Sequence, residues 1–332
     1  MKAITQPGRY NRMTTTTFDV QTLDVVTCSS MDDFQQQILS IYERIEKDGF
    51  VILQAWDTSE ETLREIAPFF GHIQDHPNAD EFGVIKVRPE RPKKAEANAY
   101  ERFISKTPGD FLPHTDGVYL DGFCVLDNKV AKVNPPNFVM LQCVRPAKQG
   151  GNSLLVDTQE ILQQLWVEEP EHAKVITQPR SVSHCAGVHF STYSPLFEKL
   201  SDEQWRVRLR ADLMYIEPWA YASVKYVVEN YLFNPKVRKL HFLAEGQILI
   251  IDNYRMLHGR DAIITDSDDL NQSRLFNKAW IWDASTDHLL SVRDLPPDPS
   301  SFKAFDVHHP LNIDVPNKMP RPIQTGIRVS LQ

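Results

Sequence analysis

Residues 246–260 read GQILIIDNYRMLHGR, and this stretch decides the fold. Its apolar run at 248–251 is typical of a strand buried on both faces. The pair at 252–253 then predicts a turn, after which the chain returns as a hairpin and presents His258. The stretch therefore indicates a β-rich domain that carries a chemically active side chain at a strand end.

Similar short apolar runs recur along the chain, separated by Pro, Asn, Gly and Asp. They cover 50–53, 84–88, 122–126, 137–144, 153–156, 180–184 and 274–282. Regularly spaced short strands with turn signals between them predict a sandwich or a barrel. Apolar residues at helical spacing predict helices between Ser30 and Gly49 and over about 59–70, 158–167 and 218–232. We therefore expect a mainly β fold with peripheral helices.

The chain of 332 residues is long enough for two domains, but sandwiches and barrels of this size often form one. We expect a flexible arm at 1–18, which is polar and rich in Thr. Residues 19–290 are predicted to form a single domain with helical insertions. Residues 291–332, rich in Pro and polar residues, are expected to pack on it as an extension. The charged segment 89–113 is predicted to be a lid or a substrate loop.

Composition excludes several classes of function. A net charge of −8 argues against a nucleic-acid partner, which would need a basic face. No apolar run is long enough for a membrane helix, and the N-terminus lacks the apolar core of a signal peptide. The four cysteines form no CxxC pair, so we expect reduced thiols and a cytoplasmic location. The oligomeric state stays open, a homo-oligomer included.

A candidate metal site begins at His114-Thr115-Asp116. On an extended backbone, residues i and i+2 project to one face, so an imidazole and a carboxylate can approach the same point. These are two corners of the triad that binds non-haem Fe(II). The spacing alone is a weak signal, because about one His-x-Asp triplet is expected by chance in a chain of this composition.

His258 and Arg274 strengthen that signal. A histidine beside an apolar pair is usually a core residue, and an arginine that opens a strand usually faces solvent. Taken with His114 and Asp116, however, they complete a set of two imidazoles, one carboxylate and one guanidinium. A guanidinium binds a carboxylate through two parallel hydrogen bonds, which a lysine cannot reproduce.

The sequence resembles the Fe(II)/2-oxoglutarate-dependent oxygenases of the taurine dioxygenase and 2,4-dichlorophenoxyacetate dioxygenase group. That group includes clavaminate synthase-like and γ-butyrobetaine hydroxylase-like members. The resemblance runs from about Gly49 to about Trp282. Besides the residues above, it is carried by GGNSLLVD at 150–157 and by DNYRMLHGR at 252–260. The second string is the more specific of the two.

The resemblance implies a double-stranded β-helix, a jelly roll of two facing sheets. His114, Asp116 and His258 would hold iron, and Arg274 would bind the distal carboxylate of the cosubstrate 2-oxoglutarate. Ser153 stands where the family commonly has Thr, and its hydroxyl would assist. Arg260 is the next candidate if Arg274 does not bind that carboxylate. The family reaction consumes O2 and releases succinate and CO2.

The resemblance also bears on the substrate, expected to be a small molecule such as an amino-acid derivative or a natural-product intermediate. Taurine dioxygenase binds sulfonate with an arginine at the position of Lys278, so the substrate is not expected to be taurine. The candidate substrate residues are Tyr100, Phe103, Phe111, Arg208, Arg210 and Lys278. Hydroxylation is the default outcome, and desaturation, epoxidation and cyclisation use the same oxidant. Asp116 argues against halogenation, which needs a small residue there.

Two other readings stay open at this point. A non-catalytic jelly-roll protein could bind a metal or a small ligand, but such proteins usually lose the carboxylate or the arginine, and this chain keeps both. Protein-modifying dioxygenases of the demethylase type commonly anchor 2-oxoglutarate with a lysine on an earlier strand. Arg274 argues against that class.

Overall fold

The computed structural model describes residues 23–73, 78–89, 108–265 and 272–282, apart from 121, 127–128, 134, 187–188 and 203, and three short strands nearer the C-terminus. The helices are α1 Met31–Asp48, α2 Glu60–Ile66, α3 Thr158–Glu168, α4 Pro170–Ile176 and α5 Tyr221–Val227. Short 3-10 turns lie at Ala67–Phe69 and Pro235–Val237, and a π-helical turn at Val228–Leu232.

Strands make up most of the remainder. The first twelve are β1 Val25–Thr27, β2 Phe50–Gln54, β3 His72–Ile73, β4 Ile85–Val87, β5 Phe111–His114, β6 Gly122–Leu126, β7 Lys129–Val133, β8 Phe138–Arg145, β9 Gln149–Gly150, β10 Ser153–Asp157, β11 Val182–Ala186 and β12 His189–Ser194. The others are β13 Phe197–Lys199, β14 Trp205–Val207, β15 Met214–Ile216, β16 Lys239–His241, β17 Gln247–Asp252, β18 Met256–Arg260, β19 Ile263–Thr265, β20 Leu275–Trp282, β21 Lys303–Asp306, β22 His309–Asp314 and β23 Ile327–Arg328. The expectation of a mainly β fold with helices is confirmed.

Two sheets hold the functional centre. The larger one has the order β1-β2-β17-β8-β20-β3, with β4 also pairing with β20. The smaller one has the order β16-β10-β18-β5 and is antiparallel throughout. An apolar cluster joins them: Leu155 and Met256 from the smaller sheet pack with Leu249, Ile251 and Phe276 from the larger one. The two sheets therefore face each other across a shared core.

Alternation along the strands of the smaller sheet decides which residues point inward. Met256 packs in the core between the sheets, whereas Leu257 packs in a separate apolar cluster with α3, α4 and α5. Because successive side chains alternate between faces, His258 follows Met256 to the inner face. Helices α3, α4 and α5 thus pack on the outer face of the smaller sheet, whereas His258 lies on its inner face.

Helix α1 forms as its sequence predicts. Ser30 is the N-cap, and its hydroxyl accepts a hydrogen bond from the Asp33 N–H at 3.2 Å. Gly49 ends the helix in the left-handed conformation, with φ of 79°. A Cβ at Gly49 would lie 2.5 Å from Met256 Sδ, so the helix end touches the strand that carries His258.

Arg255 connects the same helix end to the turn before His258. Its Nη1 and Nη2 donate to the carbonyls of Glu46 at 2.7 Å and Lys47 at 3.0 Å. Its Nε donates to the carboxylate of Asp157 at 3.1 Å. One side chain therefore joins the end of α1, the end of β10 and the turn between β17 and β18.

Some local predictions were wrong in detail. The predicted hairpin at 246–260 is not one, because β17 pairs within the larger sheet and β18 within the smaller, so the turn carries the chain between sheets. The second predicted helix gives way to a 3-10 turn that contains Pro68, which cannot donate a helical hydrogen bond. The helix predicted from 218 begins at Tyr221. Helix α4 was missed.

Among the described residues, no helix combines the length and the apolar character that crossing a membrane requires. Cys28 and Cys143 are buried free thiols.

Candidate metal centre

The first two candidate ligands come from the end of β5. His114 is the last residue of the strand, and Asp116 lies in the turn that follows, so the predicted extended pair is instead a strand end and a turn. Gly117 allows this turn: its φ is +67°, and a Cβ there would lie 2.7 Å from Pro136 Cδ. The turn brings the carboxylate back towards the imidazole.

Asn253 fixes the main chain of Asp116. Its side-chain oxygen accepts from the Asp116 N–H at 2.9 Å, and its amide donates to the Asp116 carbonyl at 3.0 Å and the Pro136 carbonyl at 2.9 Å. Asn253 is buried and lies in the turn between the two sheets. Sequence reasoning placed it in a turn but missed this role. The signal was an amide beside the turn aspartate, which can both donate and accept.

His258 completes the cluster from the neighbouring strand, because it pairs in register with His114. Its Nε2 lies 3.4 Å from Asp116 Oδ2, and His114 Nε2 lies 3.7 Å from Asp116 Oδ1. One ligand atom from each of the three residues lies within 4.8 Å of the other two. The three residues are only 2%, 2% and 5% exposed. The structure thus brings together three residues that are far apart in sequence.

The histidines are in the state that a metal requires. His114 Nδ1 lies 2.9 Å from the Leu112 carbonyl, an acceptor, so Nδ1 carries the proton and Nε2 presents its lone pair. Burial, and then His258, lower the pKa of His114 to about 3. Burial also lowers the pKa of His258. Both rings are therefore neutral near pH 7 and can bind a cation.

The buried nitrogens of these rings fit a bound cation. Within the described part of the chain, His114 Nε2 and both nitrogens of His258 have no hydrogen-bond partner. Buried polar atoms rarely stay unsatisfied in folded proteins, and each costs about 1–3 kcal/mol. Two imidazoles and a carboxylate form the donor set of a non-haem Fe(II) site. These residues therefore fit such an ion.

The second oxygen of Asp116 is held from the larger sheet. Trp280 Nε1 donates to Oδ2 at 3.0 Å, and the Lys278 ammonium also contacts Oδ2. Burial raises the pKa of Asp116, but Lys278 and His258 outweigh it and hold that pKa well below its usual value. The carboxylate is thus ionised. The contact with Trp280 was not predicted from the sequence. The only signal was the two-residue spacing that puts Trp280 on the same face of β20 as Lys278.

The predicted cosubstrate residues lie around the same core. Arg274 is buried immediately before β20, with its Cζ 3.8 Å from the centroid of the Phe276 ring. A Cβ on Gly151 would lie 3.6 Å from Arg274 Nε, so this arginine reaches the glycine turn before β10. Ser153 is buried at the start of β10. Arg260 instead donates to the Asp261 and Gly109 carbonyls, both at 2.8 Å.

Two predicted substrate residues, Arg208 and Arg210, have different surroundings. Arg208 is fully buried, and its Nη2 lies 3.0 Å from Glu198 Oε2. Arg210 has its Cζ 5.3 Å from the centroid of the Phe111 ring, which in turn lies 3.9 Å from the His114 ring. The Thr115 N–H donates to the Leu209 carbonyl at 2.8 Å, which ties this stretch to the metal-binding segment. Tyr100 and Phe103 lie outside the described residues.

Comparison with known proteins identifies the family. Residues 12–280 match the family described as Taurine catabolism dioxygenase TauD, TfdA family. The chain belongs to this family. The match agrees with the resemblance seen in the motifs and includes all three candidate ligands and Arg274.

Individual relatives of this TauD family member are distant. The uridine-5'-phosphate dioxygenase of Streptomyces sp is 28% identical over 165 residues, which cover 46% of this chain and 56% of that protein. The chain therefore spans about half the length of this curated relative. A solved asparagine oxygenase in complex with Fe(II), 2S,3S-3-hydroxyasparagine and succinate has a TM-score of 0.57 at 12% identity, covering 76% of this chain and 79% of that one.

A second solved structure shares the fold. The non-haem iron oxygenase OrfP, in complex with Fe, succinate and (3S)-hydroxy-L-Arg, has a TM-score of 0.55 at 13% identity. The alignment covers 75% of this chain and 80% of that chain. At these identities the likeness establishes the fold of the TauD family member and leaves its substrate open.

Proposed function

We propose that the chain is an Fe(II)- and 2-oxoglutarate-dependent oxygenase that hydroxylates a small molecule and releases succinate and CO2. The observation that carries the proposal is the convergence of His114, Asp116 and His258 with unsatisfied, buried imidazole nitrogens. Membership of the TauD, TfdA family supports it. We further propose that the two facing sheets form a jelly roll within a single domain, whereas the predicted arm at 1–18 and most of the predicted extension at 291–332 lie outside the described residues.

The three side chains would hold the iron. Neutral imidazoles donate their lone pairs, and the ionised carboxylate lowers the charge of the site. When iron, 2-oxoglutarate and O2 are bound, they supply the oxidant, since decarboxylation of the keto acid to succinate leaves one oxygen atom for the substrate. The burial of all three ligands excludes water from the reacting atoms.

Arg274 is proposed to bind the distal carboxylate of 2-oxoglutarate, with Ser153 assisting. Its guanidinium carbon lies 3.8 Å from the centroid of the Phe276 ring, and this contact restricts the side chain and so lowers the entropy lost on binding a carboxylate. Arg260, the alternative, donates to two main-chain carbonyls and is better placed to support the segment before β5. The geometry therefore favours Arg274.

The substrate is proposed to be an amino-acid derivative or a natural-product intermediate, modified in the cytoplasm. Two structures that share the fold hold hydroxylated amino acids, which supports this class. Arg210 pairs with Asp212 at 3.2 Å and lies by Phe111, whose ring is next to that of His114, and we propose that Arg210 also faces an acidic group of the substrate. Tyr100 and Phe103, the other candidate substrate residues, lie outside the described residues. Hydroxylation is the default, with desaturation, epoxidation or cyclisation as other outcomes.

The function can be tested without knowing the substrate. Under anaerobic conditions, Fe(II) and 2-oxoglutarate together should produce a weak visible charge-transfer band in the wild type. The band should be lost in His258→Ala and kept in His172→Ala, a matched control whose ring lies on α4, contacts Ser223 and stacks on Tyr226. A wild-type protein without this band would exclude the proposed chemistry.

A screen then identifies the substrate class. Succinate release is measured against amino acids and their acylated or cyclised derivatives, and product masses are read in parallel. A gain of one oxygen marks hydroxylation, and a loss of two hydrogens marks desaturation or ring closure. A normal band with no succinate from any substrate would favour the alternative of a non-catalytic metal- and ligand-binding protein.

A further inference from the structure

Lys278 is a buried lysine in the middle of the larger sheet. It lies on β20, where it pairs with Leu141 of β8 and Ile85 of β4, and its side chain is only 13% exposed. Its neighbour Ala279 packs in the apolar cluster beneath α1 and α2, so alternation sends Lys278 to the opposite, inner face. An ammonium group buried in this way is costly unless it meets an opposite charge.

The opposite charge is Asp116, and its two oxygens have different surroundings. Oδ2 contacts the Lys278 ammonium, accepts a hydrogen bond from Trp280 Nε1 at 3.0 Å, and lies 3.4 Å from His258 Nε2. Oδ1 faces His114 Nε2 at 3.7 Å. Lys278 and Trp280 are two residues apart on one strand, so both reach the carboxylate from the same side. The carboxylate thus lies between the donors of the larger sheet and the two imidazoles of the smaller sheet.

We propose that Lys278 pairs with the metal-binding carboxylate as an internal cation and so makes metal affinity depend on a bound dianion. The proposal deepens the proposed function and rests on it. The contact between Lys278 and Asp116 and the burial of both are the observations that carry it.

The charge of Lys278 determines its effect on metal binding. An ammonium and a divalent cation compete for the same carboxylate, and they repel each other strongly because water is excluded from the site. Metal alone should therefore bind weakly. A dicarboxylate such as 2-oxoglutarate brings two negative charges and offsets the excess positive charge. By linkage, metal should strengthen cosubstrate binding by the same factor.

The test measures the Kd of Mn(II) without turnover, under anaerobic conditions, with and without 2-oxoglutarate. The variants are Lys278→Met, which keeps the length of the side chain but removes its charge, and Lys278→Arg, which keeps the charge. We expect Lys278→Met to bind Mn(II) about tenfold more tightly without 2-oxoglutarate, within the 5–150-fold range typical of coupling. The gain from adding 2-oxoglutarate should shrink by a similar factor. Lys278→Arg should behave like the wild type.

A purely structural role for Lys278 predicts the opposite sign. If Lys278→Met binds Mn(II) more weakly than the wild type, or keeps the full dependence on 2-oxoglutarate, the proposal is overturned. Thermal unfolding guards against a poorly folded variant: the metal-free Tm of Lys278→Met should fall, whereas its rise on adding Mn(II) should exceed that of the wild type. Trp280→Phe removes the hydrogen bond but not the charge, and it should keep the dependence on 2-oxoglutarate.

Failure of the proposed function would look different. In that case the wild type would bind neither Mn(II) nor 2-oxoglutarate, and His258→Ala would not differ from it. That result would overturn both proposals. A wild type that binds both, with Lys278→Met unchanged, would overturn only the role of Lys278.

Discussion

The two facing sheets contribute in different ways to the centre between them. The smaller sheet supplies His114 and His258 from paired strands, and its register shifts between His258 and Arg260. The larger sheet is apolar along β17, supplies Lys278, which contacts Asp116, from β20, and has Arg274 immediately before that strand. The two histidine ligands thus come from the irregular end of one sheet, whereas the other sheet supplies the cation that contacts Asp116.

If this division holds, the largest effects belong to the smaller sheet. His114→Ala removes a ligand, and we expect metal affinity to fall more than about 100-fold, beyond the range seen for residues that only support ligands. Calorimetry with Mn(II) measures the change, and His172→Ala serves as the control. Normal metal affinity in His114→Ala would remove the smaller sheet from its assigned role.

A variant beside the larger sheet should instead affect the cosubstrate. Arg274→Ala removes a charge-assisted pair worth about 2–3 kcal/mol, so the Kd of 2-oxoglutarate should rise roughly 30–150-fold. The affinity for Mn(II) alone should change little. Arg260→Ala is the matched comparison: if it weakens 2-oxoglutarate binding and Arg274→Ala does not, the carboxylate is bound at the other arginine.

The turn between the sheets should give an intermediate effect. Asn253→Ala leaves the N–H and the carbonyl of Asp116 without the partner that fixes them, at about 1–3 kcal/mol for each unsatisfied group. We expect a lower Tm and roughly tenfold weaker Mn(II) binding, because the carboxylate is no longer oriented. Asn234→Ala, at an exposed cap, controls for the loss of an amide. Unchanged metal affinity would show that the turn holds its shape without this side chain.

The smallest effect should concern the substrate alone. Arg210→Gln removes a cation beside Phe111, and KM for an acidic substrate should rise about 5–10-fold while kcat changes less. The comparison is the corresponding ester or amide, for which KM should not change. Equal effects on both substrates would mean that Arg210 has no role in recognising the acid.

Local features of the fold could be read from sequence. Ser30 and Gly49 mark the ends of α1 because a capping hydroxyl and a left-handed residue are needed there. The apolar run of β17 and the turn after it were also predictable. The assignment of β17 and β18 to different sheets was not, because a turn residue encodes the change of direction but not the strand on which the chain next pairs.

The candidate site divides in the same way. The set of His114, Asp116, His258 and Arg274 could be found because its order along the chain resembles that of a known family, whereas each residue alone is a weak signal. The contacts of Asp116 could not: Trp280 lies 164 positions away in the chain, and only the stacking of two sheets brings it to the carboxylate. The exact turn at Gly117 also depends on Pro136, a contact that no local pattern records.

Arg255 links helix α1 to the candidate metal centre. It lies in the turn that precedes His258 and donates to the last carbonyls of α1 and to Asp157 at the end of β10. These hydrogen bonds connect the three parts directly. Loosening the helix by a change on the protein's outer surface would therefore be transmitted to a ligand in its interior. Metal retention can thus report whether α1 is packed against the strand that carries His258.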